Sequence, residues 1–159
     1  MEGSVTRRAE DAVVDLQLVW RLAAADHGLA IVCATRADGT IQASLVNAGI
    51  TGDPRNGHDL IGFVARGDAV KLRHFRQRPH ATIVWRSGWE WVAVEGPVTL
   101  IGPDDPLPGF EPMKLPALLR TIFVDAGGEH EDWSEYDRVM AVERRTAVLI
   151  TPERISSNS

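Results

Sequence analysis

Between Leu29 and Ile101 the chain repeats one pattern: a strand-length run, a turn signal, and the next run. Leu29–Thr35 (LAIVCAT) is apolar and rich in branched residues, which predicts a buried strand. Ala37-Asp38-Gly39 is a turn signal. Thr40–Ala48 alternates, with Ile41, Ala43 and Leu45 on one side and Gln42, Ser44 and Val46 on the other. The two runs therefore predict an antiparallel hairpin. Leu60–Ala65 and Ala81–Trp85 read as a third and a fourth strand, and Arg86-Ser87-Gly88 turns the chain into a fifth, Trp89–Ile101. Gly96-Pro97 interrupts that strand and predicts the bend or bulge a closed barrel needs. Ala147–Thr151 is the last strand. Regular βαβ alternation is absent, so the expected class is mainly β with a few helices: an antiparallel barrel with helices at its ends.

Helical spacing appears elsewhere. Ala9, Val13, Leu16, Trp20 and Ala23 recur every three or four residues, which predicts an N-terminal helix within 1–28, with Thr6 as N-cap and Gly28 as stop. Asp68 reads as the cap of a short helix over Ala69–Gln77 that Pro79 closes, with Val70, Leu72 and Phe75 inward and Lys71, Arg73 and Arg76 outward. Thr51–Asp59 (TGDPRNGHD) and Gly102–Pro112 read as loops. Leu115–Val124 and Trp133–Arg144 read as two further helices. The second is capped by Asp132 and carries Trp133, Tyr136, Met140 and Glu143 along one stripe. Residues 29–155 form the expected barrel domain and 156–159 a frayed tail.

At 159 residues the chain suits one domain. No apolar run approaches the roughly 20 residues of a membrane span. The N-terminal segment is charged where an export signal needs an apolar core, so a cytoplasmic protein that engages no membrane is expected. Cys33, the single cysteine, cannot form an internal disulfide and sits in an apolar strand, as a structural thiol does. No GxGxxG, GxxxxGK[ST] or GxSxG motif is present. His27, His58, His74, His80 and His130 lack i, i+4 pairing and no CxxC exists, so no metal site is expected. The carboxylates Asp104-Asp105 and those of 129–132 fall in loops, where solvation and helix capping are their ordinary roles. The net charge of −5 argues against a nucleic-acid binder. It is uneven: Arg55 to Arg86 holds seven basic residues against Asp59 and Asp68, a local excess of +5 that leaves −10 on the rest. A basic island on an acidic chain suits a small anionic ligand.

Phe63–Trp85 (FVARGDAVKLRHFRQRPHATIVW) is the candidate site. A strand ends at Ala65, Arg66-Gly67 follow, and a helix opens whose backbone N–H groups attract anions. Arg66, Lys71 and Arg73 can give a phosphate charge-assisted bonds, and Gly67 allows close approach of a ligand to the backbone. Trp85, Trp89 and Trp91 bracket a tight turn, where they could line a planar ligand, seal a subunit interface or pack a core.

The runs IQASLVNAG, FVARGDAVKLRHFRQRPHATIVW and WVAVEGPVTLIGPDD resemble the split β-barrel, FMN-binding-like family of pyridoxamine 5′-phosphate oxidase-like proteins. The later run GEHEDWSEYDRVMAVERRTAVLITPERI is similar to its actinobacterial branch, the coenzyme F-420-dependent flavin/deazaflavin oxidoreductases of type B. The resemblance implies a homodimer with cofactor at the subunit interface. It implies F-420, or alternatively FMN, as cofactor and a small unsaturated or carbonyl-bearing organic molecule as substrate. Lys71 would bind the cofactor phosphate, with Arg66, Gly67 and Arg73 in the same cradle and Leu72 beside them. Ser44 and Asn47 would bond the ring edge or ribityl chain, with Val46 alongside. Trp85 and Trp89 would approach from the rim or the partner. Ala65 stands where many relatives carry Thr or Ser, so a hydroxyl contact is missing, and the loop TGDPRNGHD would alter the site mouth. The cofactor carries the chemistry, so no catalytic nucleophile is expected. A non-catalytic cofactor- or tetrapyrrole-binding module is the alternative with the same fold.

Overall fold

In the computed structural model, residues 5–8 and 12–159 are described, with side chains from Leu16 onward. Strand β1 (Val5–Arg8) precedes helix α1 (Ala12–Ala25). Thr6 therefore lies within a strand paired to Ser156, rather than capping the helix, and Ala9 lies outside the described residues. The inward stripe of α1 is Leu16, Val19 and Leu22. Trp20 falls one position off that stripe and is 64% exposed. His27 (φ +56°) and Gly28 (φ +74°) follow the helix, and the Gly28 amide donates to the Ala23 carbonyl at 2.7 Å, the left-handed stop that glycine favours.

The next six strands, all antiparallel to their neighbours, close on themselves. They are β2 (Leu29–Thr35), β3 (Ile41–Gly52), β4 (Asp59–Ala65), β5 (His80–Ser87), β6 (Glu90–Ile101) and β7 (Thr146–Ile150). Their spatial order is β6-β5-β2-β3-β4-β7, and a β6–β7 pairing completes the barrel. β6 serves two neighbours along one edge: Val92–Glu95 pair with β8 (Arg154–Ser157), and Val98–Ile101 pair with β7. The change falls at Gly96-Pro97, the break expected from the sequence. A Cβ on Gly96 would stand 1.7 Å from the Thr151 carbonyl oxygen, so only glycine lets the chain cross there. β8 in turn pairs with β1, and Ser156 and Ser157 belong to this ladder rather than to a frayed tail. The ladder is non-local, which is why a short segment with one apolar residue, the buried Ile155, forms a strand.

Two helices add side chains to the core of the barrel. α1 contributes Leu16, Val19 and Leu22. Helix α2 (Val70–Gln77) contributes Leu72 and Phe75, which meet Phe63, Ile83 and Trp85. A second apolar cluster lies outside the barrel wall. There helices α3 (Leu115–Asp125) and α4 (Trp133–Val142) pack Leu118, Leu119, Ile122 and Tyr136 against Leu60, Ala147 and Leu149. Asp132 caps α4 as expected, accepting from the Glu135 amide at 3.1 Å. α2 has no such cap: Ala69 occupies the position, while Asp68 stays exposed and reaches back to Arg66 at 3.3 Å. The segment expected as the loop TGDPRNGHD is shorter than its composition suggests, because β3 runs through Gly52 and leaves only 53–58 as a turn. Asp53 closes that turn, accepting from the Arg55 amide at 2.8 Å.

Candidate functional site

A cavity of about 480 Å³ opens where the middle of β3, the end of β4, the start of α2 and the α3–α4 cap converge. β3 supplies Leu45, Val46 and Asn47. The strand end and the turn after it supply Ala65, Arg66, Asp68 and Ala69, and the first turn of α2 supplies Lys71. The opposite wall is Ile122 and Phe123 of α3 with Tyr136 and Met140 of α4, and Arg145 closes one end. The volume lies in the range of small-molecule and cofactor sites, and its mix of apolar wall and a few convergent charges is that of such sites.

The charges are unevenly matched. Lys71 is half-buried, and among the described residues no carboxylate pairs with it. Burial, and then the neighbouring charge of Arg145, hold its ammonium below the ordinary lysine value. Arg66 and Arg145 share Glu143, at 3.5 and 3.2 Å. The aromatic wall is preformed. The rings of Phe123 and Tyr136 lie 5.0 Å apart, and Trp133 stands edge-on to Tyr136 at 5.3 Å. The Tyr136 hydroxyl donates to the Leu119 carbonyl at 3.2 Å, and burial pushes its pKa up to about 12. Tyr136 is thus a neutral wall whose proton is already committed.

Of the residues expected from the sequence, Val46, Asn47, Ala65, Arg66 and Lys71 line the cavity together. Asn47 differs in role: its amide nitrogen donates to the His27 and Ala126 carbonyls at 2.6 and 3.1 Å, leaving only its oxygen for a ligand. Ser44 is half-buried one position short of the lining. Gly67 stands behind the wall, where a Cβ would meet the Arg144 carbonyl oxygen at 2.6 Å; its small size serves packing against that corner. Leu72 and Trp85 are fully buried in the barrel core, and the Trp85 indole donates to the Ala48 carbonyl at 3.3 Å, so neither reaches the cavity. Arg73 is exposed outside the lining, and Trp89, at the β5–β6 turn, is 92% exposed. The basic island disperses in three dimensions. Arg76 pairs with Asp105 at 2.7 Å and Arg55 with Asp53 at 3.0 Å, which leaves Arg66 and Lys71 as its cations at the cavity. The turn 53–58 contributes nothing to the lining.

Sequence reasoning missed Arg145 and the Phe123–Tyr136–Met140 wall. Helical spacing marks the wall residues as packing positions without saying against what. Arg145 lies in a run of polar residues before a strand, and only the fold brings it to Lys71.

No family model matches the chain. Solved structures do share its fold. A proposed 5-nitroimidazole antibiotic resistance protein from Bacteroides thetaiotaomicron superposes with a TM-score of 0.62 at 13% identity, covering 98% of this chain and 89% of that one. A pyridoxamine 5′-phosphate oxidase-related, FMN-binding protein from Nostoc punctiforme gives 0.57 at 17% identity, covering 89% and 78%. An F420 reductase gives 0.54 at 14% identity, covering 80% and 87%. The fold is therefore the antiparallel split β-barrel, FMN-binding-like, that these structures share. No helix among the described residues is long and apolar enough to cross a membrane.

Proposed function

We propose that this chain binds a phosphorylated flavin-type cofactor, coenzyme F-420 in the leading reading, and acts as an oxidoreductase on a small unsaturated or carbonyl-bearing organic molecule. The carrying observation is Lys71, a half-buried ammonium with no carboxylate partner among the described residues, at a cavity with an apolar and aromatic wall. Holding a desolvated cation costs free energy that a bound phosphoryl group recovers. Lys71 and Arg66 would hold that group, aided by the N-terminal amides of α2. Val46, the Asn47 oxygen and Phe123 would flank the ring. When bound, the cofactor supplies hydride chemistry. The protein contributes binding, orientation and a wall that excludes water. Tyr136, with its proton committed to Leu119, is not the proton donor.

A second copy fits the same reading. On the outer face of β2 and β3, Ile31 (42% exposed) pairs directly with Leu45 (61% exposed), and Ile41 lies 56% exposed beyond them. Leu45 also lines the cavity, so a partner seated on this face would border the site. A homodimer with cofactor at the seam follows as part of the proposal. FMN is the second reading, favoured by the FMN-binding relative of the same fold.

The test is titration of the purified protein with F-420 and with FMN, read by absorbance and fluorescence. Micromolar binding of either is expected, with Lys71→Ala at least about tenfold weaker, as loss of a charge-assisted bond predicts. No binding of either at micromolar concentration removes the reading. Tight binding without F-420H₂ oxidation across enones, quinones and tetrapyrroles would favour a non-catalytic binding module.

A further inference from the structure

Glu143, Arg144 and Arg145 form the corner that carries the chain from α4 into β7. Arg144 holds a φ of +49°, uncommon for a residue with a side chain, and its Nε bonds Asp104 at 3.1 Å. The corner is fixed to the segment that bears Lys71. The Gly67 amide donates to the Glu143 carbonyl at 3.0 Å, and Gly67 packs so tightly on Arg144 that no larger residue fits. Two segments far apart in sequence are thereby held in one register, and Arg145 faces the same cavity as Lys71.

Arg145 is under-satisfied there. Its Nη2 approaches the two Glu143 oxygens at 3.2 and 3.4 Å, long for a charge-assisted pair, and Glu143 is shared with Arg66. Its Nε is buried without a hydrogen-bond partner among the described residues. Arg66, Lys71 and Arg145 thus line one cavity, where Glu143 is shared between the two arginines and Asp68 pairs with Arg66 at 3.3 Å. Such crowding of like charge in a partly desolvated site is unfavourable until an anion enters.

We propose that Arg145 is a further phosphoryl-binding residue of this cavity, joining Lys71 and Arg66 on the bound group. This rests on the reading that the ligand carries a phosphoryl group, and it adds a residue from the C-terminal third of the chain to the cradle. Cations from separate elements suit a phosphoryl group, whose anionic oxygens point in more than one direction, better than a single carboxylate.

The test compares FMN with riboflavin, and F-420 with its phosphate-free deazaflavin, by fluorescence titration of Arg145→Gln, Arg145→Lys and the exposed control Arg138→Ala. Arg145→Gln is expected to weaken the phosphorylated ligands at least about tenfold while leaving the phosphate-free ones within about threefold. Arg145→Lys should fall between, and Arg138→Ala should match the wild type. Equal loss for both ligand types, or no loss, overturns the proposal. If the wild type binds no flavin or deazaflavin, the cofactor reading fails by itself and inorganic pyrophosphate decides. A rise in Tm with pyrophosphate that Arg145→Gln abolishes keeps the phosphoryl site, whereas an equal rise or none removes it.

Discussion

The two halves of β3 present the same face of one strand to opposite surroundings. On the outward side, Ile41, Ala43 and Leu45 are exposed, whereas Asn47, Gly49 and Thr51 lie under the C-terminal end of α3. There Asn47 and Thr51 bond Ala126 and Asp125, and a Cβ on Gly49 would come within 2.4 Å of the Asp125 carbonyl oxygen. The covered half uses small and polar residues because helix backbone approaches it closely. The uncovered half uses Ile and Leu, which no element among the described residues buries. The cavity opens where cover gives way to bare sheet, at Leu45–Asn47. Alternation alone assigns both halves the same environment; the helix end separates them.

Three substitutions break or sharpen this contrast. The largest effect belongs to Trp85→Ala. Its indole supports the covered half through the Ala48 carbonyl and fills the barrel core, so a loss of about 3–5 kcal/mol is expected in urea unfolding. A loss near 1 kcal/mol would mean that the interior is loosely packed. Next, Leu45→Asp places a charge on the bare half. If a second copy covers this face, light scattering should show a dimer for the wild type and the monomer mass for the variant; an unchanged mass would show that the face is not the seam. The smallest effect is expected from Thr51→Val on the covered half. It removes the 2.7 Å bond to Asp125 at about 1–2 kcal/mol and leaves the oligomer mass untouched.

Much of the barrel is legible in the sequence because its strands are bounded by local turn chemistry. The hairpin around Gly39, the strand ends near Ala65 and Ile101 and the bend at Gly96-Pro97 all follow from residues within a few positions of each other. Lys71 is legible for the same reason: a cation just after a strand-to-helix turn is a local feature. The same local reasoning misplaces Trp85 and Leu72, because a period of two or of 3.6 assigns a face without saying whether that face meets a ligand or a core. It also credits the island from Arg55 to Arg86 with charge that is in part taken up elsewhere, Arg55 by Asp53 and Arg76 by Asp105. The strand at Arg154–Ser157 escapes notice because its pairing with β1 and β6 lies entirely outside its own segment.

The sequence by itself determined an antiparallel barrel, its bend and one cation at a helix start, since each depends on backbone preferences acting over a few residues. Tertiary structure alone decided which cations stay unneutralised, which tryptophan is core and which residue joins Lys71. Charge pairing and burial depend on distances between segments 40 to 80 residues apart, as with Arg144 and Asp104 or Thr51 and Asp125. Those distances exist only once the strands have closed.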